Sequence, residues 1–230
     1  MTLPLIILDF VLMTAAFVMI FFYAPIDAVM GPTQKIFYIH LPGALASFFS
    51  TFILFLASLK YLVKPSPQVD RLAWAAADTA WLFCTLTLIT GMLWARQAWM
   101  VWWTWDPRLT SFLLLWCVLS LYHVLRRSLP PGSLQSRLAA VFGLIGFLDV
   151  PLVFLCIYWW QSLHPAVITS REIRIDISMF HTLIIAVLAV LGLAILLIHL
   201  RVKLLTMESR LSELIRIAGD TQDLSDGRKK

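Results

Sequence analysis

The chain reads as an all-α integral membrane protein. The expected architecture is a bundle of six transmembrane helices, with both termini cytoplasmic and a tryptophan-rich periplasmic segment between helices 3 and 4. Three observations predict it. Of 230 residues, 60% are hydrophobic and only 13% charged, where a soluble domain carries about 25% charged residues; mean hydropathy is +0.86. Crossing roughly 30 Å of hydrocarbon takes about 20 apolar helical residues, and such runs recur at about 5–24, 41–63, 72–94, 109–126, 138–160 and 177–200. Lysine and arginine sort by link: thirteen fall on the face shared by the termini and five on the other, which sets the orientation. This composition excludes a water-soluble enzyme, a disordered chain and a nucleic-acid reader.

The first run lacks a basic leader and a small-residue cleavage site, so it reads as a retained span rather than a signal peptide. Asp9, Asp78 and Asp149 interrupt three runs without shortening them. Asp149 is costly at mid-span and is expected to be neutral or to face a polar partner. Links 2–3 and 4–5 are Pro/Ser turns, at 65–68 and 130–133, flanked by basic residues. Beyond span 6, Leu204, Met207, Leu211, Leu214 and Ala218 recur at helical spacing. The expected division is therefore a transmembrane domain over 1–202, with residues 94–110 outside, followed at 203–230 by a cytoplasmic amphipathic helix and a flexible end from 219. That helix could lie on the membrane, on a partner or on its own bundle. Cys84, Cys117 and Cys156 stand alone in apolar runs, without a CxxC or CxxCH pairing. A disulfide framework, a zinc ribbon and covalent c-type heme attachment all lack support.

By parity, links 1–2, 3–4 and 5–6 emerge on one face, and these three carry the chemistry. Link 3–4 holds Trp94, Trp99, Trp102, Trp103 and Trp105, half of the ten tryptophans, followed by Asp106, Pro107 and Arg108. One reading is an interfacial aromatic belt. The other is a surface for a flat aromatic ligand, because indole faces stack on π-systems and bury large areas. Asp106-Pro107 also predicts a helix start, as N-cap and N1 of span 4.

His40 stands where link 1–2 enters span 2, and His164 follows span 5, each with a proline close behind. Two imidazoles flanking a tryptophan-rich segment fit bis-histidine ligation of a planar iron macrocycle; unrelated interfacial histidines are the alternative. His123 and His199 are expected to meet helix C-terminal carbonyls, and His181 is a reserve ligand. Arg108, then Arg96, Arg171 and Arg174, are candidates for gripping the carboxylates of such a ligand.

The run from Trp99 to Thr110, with Tyr38-Ile39-His40-Leu41-Pro42 and Leu163-His164, resembles the heme-handling proteins with a tryptophan-rich "WWD" domain. Within them it is most similar to the heme exporter C family of bacterial cytochrome c maturation. The family pattern falls on Trp99, Trp102, Trp103, Trp105, Asp106, Arg108, Leu109 and Thr110. Met100 stands where the family has glycine, Val101 replaces a threonine, and Pro107 replaces a small residue.

The resemblance implies a multi-pass protein of the bacterial inner (plasma) membrane that holds heme b as a transferred ligand. His40 and His164 would be its axial ligands, with the WWD residues as platform and chaperone contact. Implied partners are a periplasmic heme chaperone, the ATPase and membrane subunits of an ABC transporter, and a small single-span accessory protein, besides membrane lipid. The role is delivery rather than catalysis. No G-x-x-x-x-G-K-[ST] loop occurs, so ATP would be hydrolysed by another chain. Rival readings are a membrane b-type cytochrome, which would bury heme between spans, and a transporter of another aromatic solute.

Overall fold

A computed structural model describes residues 2–28, 30–159 and 176–227, with the side chains of 156–159 and 220–227 left aside. Among the described residues there is no strand, and six helices are long and apolar enough to cross a membrane. Helix α1 is Thr2–Val18 and widens into a π-turn at Met19–Tyr23; a 3-10 turn at Pro32–Ile36 leads into α2, Phe37–Val63. Then follow α3 Pro67–Trp99, α4 Pro107–Ser128, α5 Ser133–Trp159 and α6 Ile177–Gly227.

Helix boundaries follow local chemistry. Ser66 caps α3 by accepting from Val69 N, with Pro67 at the first helical position. Asp106 and Pro107 do the same for α4, as the sequence predicts.

Helix α2 is central, packing on α3, α5 and α6. Small residues make up much of its buried surface, Ala46, Ser47, Ser50, Thr51, Ala57 and Ser58, and α3 buries Ala73, Ala76, Ala77 and Ala80. Lipid gives apolar side chains no reason to leave it, so membrane helices associate through close packing and hydrogen bonds. Ser47 Oγ reaches across to donate to the Ala80 carbonyl at 3.2 Å. Gly143 of α5 lets that helix approach α2 closely: a Cβ there would stand 2.3 Å from Ser58 Oγ and 3.1 Å from Leu54 Cδ1.

At the end of the bundle holding the 2–3 and 4–5 links, charges form a latch across four helices. Arg126, 4% exposed, donates to both carboxylate oxygens of Asp70, at 2.5 and 3.0 Å, and to Tyr122 and Ser136. Its guanidinium also lies over Trp74 at 4.9 Å. Asp78, an apparent blemish in span 3, meets Arg201 Nε at 2.5 Å and His123 Nδ1 at 3.4 Å. His123 thus faces a carboxylate, and His199 lies 3.3 Å from Thr2 Oγ1. The expected contacts with helix-end carbonyls give way to these partners: His123 packs against the middle of α3 at Asp78, and His199 lies mid-helix because α6 runs on to Gly227.

Helix α6 spans 51 residues, about 75 Å at 1.5 Å per residue, more than twice the hydrocarbon thickness. No break separates the apolar span from the stripe at 204–218. The helix runs on through 219–227, where irregular chain was expected. Among the residues of α6 whose side chains are described, Leu205 is the last buried one, and Met207, Leu211, Leu214 and Ile215 are exposed.

Candidate functional site

Three contacts tie helix ends together at the other end of the bundle. Tyr23 Oη lies 3.5 Å from His181 Nδ1, joining the end of the α1 π-turn to the start of α6. Gln34, in the 3-10 turn, donates to Tyr38 Oη at 3.0 Å and approaches Met179 of α6. His40 Nδ1 lies 3.1 Å from Thr90 Oγ1, joining the start of α2 to the end of α3.

His40 belongs to the first turn of α2 rather than to the link before it, because the helix begins at Phe37. The ring is half-buried against Gly91, where a Cβ would stand 2.9 Å from His40 Cε1. Trp94 follows Gly91 by three residues, so it occupies the next turn of the same face, about 4.5 Å farther along α3.

The tryptophan run divides in two. Helix α3 continues through Trp99, so Trp94 and Trp99 are helical, not part of an irregular link. They meet edge to face at 5.2 Å. Met100 closes the helix with φ 62° and ψ 13°, the left-handed conformation that ends helices and favours glycine. This accounts for the glycine of the family pattern, and the Met100 side chain, 69% exposed, is not wedged into packing.

Residues 101–106 are non-helical, bend at Trp102 and reach extended backbone at Asp106. Trp103 and Trp105 pack edge to face at 5.9 Å, while Trp102 and Trp105 remain 55% and 76% exposed. Arg96 donates to the Met100 carbonyl at 2.5 Å and lies 6.0 Å from the Trp102 ring, so it braces the helix end. Asp106 is buried and accepts from Arg108 N at 3.0 Å, with Arg108 on the first turn of α4, three residues after Trp105 in the chain. Asp176 caps α6: hydrogen bonds from the Ser178 hydroxyl and amide hold its carboxyl below the usual carboxylate range.

What this rim can bind follows from its chemistry. It offers exposed indole faces, an imidazole braced on the neighbouring helix, and a cation at a helix start. Trp103 Nε1 and Thr104 Oγ1 are enclosed without a hydrogen-bond partner among the described residues. Each such atom costs about 1–3 kcal/mol, a cost that oxygen acceptors on a bound molecule would relieve. A flat aromatic ligand carrying carboxylates, such as heme, fits this donor set.

His164, Arg171 and Arg174 lie outside the described residues. His181 sits at the same end but is exposed beside Tyr23. Asp149 is buried in α5, with no hydrogen-bond partner for either carboxyl oxygen among the described residues. Sequence reasoning missed Thr90 and Gly91, although a glycine deep in a helix three residues before a tryptophan is a usable signal of close approach.

Six apolar helices with this aromatic rim define a multi-pass helical membrane protein. Comparison with known proteins gives the particular family. The model of CcmC, heme exporter protein C, matches residues 1–216, and the chain belongs to that family. It is 38% identical over 148 residues to heme exporter protein C of Bradyrhizobium diazoefficiens, covering 64% of this chain and 56% of that protein. It is 33% identical over 153 residues to heme exporter protein C of Rhodobacter capsulatus, covering 66% and 63%. These two alignments therefore span less than two thirds of either relative. With heme exporter protein C of Escherichia coli K12 it is 30% identical over 214 residues, covering 89% of this chain and 85% of that protein.

Proposed function

We propose that this protein holds heme b as cargo at the periplasmic face of the inner membrane and presents it to a periplasmic heme chaperone during cytochrome c maturation. His40 and His164 are the axial ligands. Trp94, Trp99, Trp102, Trp103, Trp105 and Asp106 form the platform and the contact with the chaperone, and Arg108 meets a propionate, with Arg96, Arg171 and Arg174 as further candidates. The protein works with the ATPase and membrane subunits of an ABC transporter and a small single-span protein. It acts as a delivery subunit rather than an enzyme.

The observation that carries this reading is His40 seated on Thr90 and Gly91, one turn before Trp94 on the helix that leads into the tryptophan run, where Trp102 and Trp105 are exposed. A rim open at its edge suits transfer, because cargo held there stays reachable by a partner. Lysine and arginine distribution supports the periplasmic assignment of this rim. On that orientation, residues 203–227 carry α6 into the cytoplasm, where the stripe through Leu204, Met207, Leu211 and Leu214 meets lipid or a partner subunit.

Against the b-type cytochrome reading, His123 and His199 meet Asp78 and Thr2 at the end of the bundle opposite His40. The test is co-expression with the chaperone in membranes. His40→Ala and His164→Ala are each expected to abolish chaperone loading and the Soret band of the trapped complex. Normal loading in the double variant would overturn the assignment and favour an aromatic-solute transporter.

A further inference from the structure

We propose that Thr90 is the positioning residue for His40: its hydroxyl holds the imidazole in the tautomer whose Nε2 carries the lone pair offered to iron. This rests on the heme reading above. The argument is one of proton accounting. Thr90 Oγ1 lies 2.8 Å from the Leu86 carbonyl and 3.2 Å from the Thr87 carbonyl. A carbonyl oxygen only accepts, so the single hydroxyl proton of Thr90 is committed to its own helix. Toward His40 Nδ1, 3.1 Å away, the hydroxyl can then only accept. Nδ1 therefore bears the hydrogen, and in a neutral imidazole the basic lone pair falls on Nε2.

Ring placement agrees with this. Against the α3 backbone, a Cβ at Gly91 would stand 2.9 Å from His40 Cε1, 3.5 Å from Nδ1 and 3.9 Å from Nε2. The ring thus leans its Nδ1–Cε1 edge on α3, with Nε2 the ring nitrogen farther from that backbone. Gly91 supplies the space and Thr90 the acceptor, from adjacent positions on one helix. A hydrogen bond from the second nitrogen of a ligating histidine orients the ring and raises its basicity. Losing such a partner typically costs about 10–100-fold in metal affinity.

Two measurements on the purified full-length protein test this. In protein carrying 15N-histidine, held above the imidazole range at about pH 8, the His40 signals, identified by their loss in His40→Ala, should show a protonated Nδ1 and an unprotonated Nε2. A proton on Nε2 instead would overturn the proposal without any Thr90 variant.

In heme titrations followed by the Soret band, Thr90→Val should bind about 10–100-fold more weakly and shift the heme midpoint potential positive, because a less basic ligand stabilises ferric iron less. Thr90→Ser should restore both. Wild-type affinity and potential in Thr90→Val, with heme still lost in His40→Ala, would overturn Thr90's role and leave the ligand assignment standing. Retention of heme by His40→Ala would overturn the heme reading itself, and this proposal with it.

Discussion

Met100→Gly should stabilise the protein, although it removes a large side chain. Met100 holds φ 62° at the C-terminal end of α3, where a side chain crowds the following carbonyl at a cost of roughly 1–2 kcal/mol. Glycine removes that strain but adds about 0.5–1 kcal/mol of chain entropy to the unfolded state. With the side chain 69% exposed, little packing is lost. The net expectation is a gain of about 0.5–1 kcal/mol, a rise in Tm of about 1–4 °C for a chain of this size. The nearby indoles report on the melt by intrinsic fluorescence in detergent. Met100→Val, a branched residue in the same conformation, should shift Tm the other way. The reasoning fails if Met100→Gly lowers Tm, or if Met100→Val raises it.

Other perturbations give distinct outcomes. Arg126→Ala removes the partner of the Asp70 pair while leaving Tyr122 and Trp74 around an empty place, and should cost about 3–5 kcal/mol; pairing it with Asp70→Asn should recover part of the lost Tm. Gly143→Val should separate α5 from α2 at Ser58 and Leu54, seen as a Tm lowered by several degrees with the heme spectrum retained in the folded fraction. Gly91→Ala should push the His40 ring off α3 and weaken heme binding in titration, with no further loss when combined with His40→Ala. Trp102→Ala and Trp105→Ala should each lower chaperone loading in part and their combination further, since stacking area is shared; complete loss from Trp105 alone would mark a single partner contact instead.

Local signals made much of this molecule legible. Spans show because length and apolarity are properties of contiguous residues, and the start of α4 shows because Asp106-Pro107 is a local cap. The tryptophan run was visible as composition, but not its division into a helical half and a non-helical half, which depends on one left-handed residue at 100. Long-range polar pairs were not visible. Arg126 and Asp70 are 56 residues apart and Arg201 and Asp78 are 123 apart, so only the packing of α3 against its neighbours reveals that apparent blemishes are ion pairs. Likewise no periodicity separates the tail from span 6, because an amphipathic stripe looks the same on a new helix as on a continued one. Thr90 escaped notice because a threonine inside an apolar helix ordinarily bonds its own backbone, and only the neighbouring helix supplies the imidazole.

Heme added to the purified protein tests the central claim most directly, through its ferric absorption and electron paramagnetic resonance spectra. The account requires a six-coordinate, low-spin signature of two imidazoles, replaced in both His40→Ala and His164→Ala by a species with one protein ligand or none. An unchanged low-spin spectrum in the double variant would contradict it.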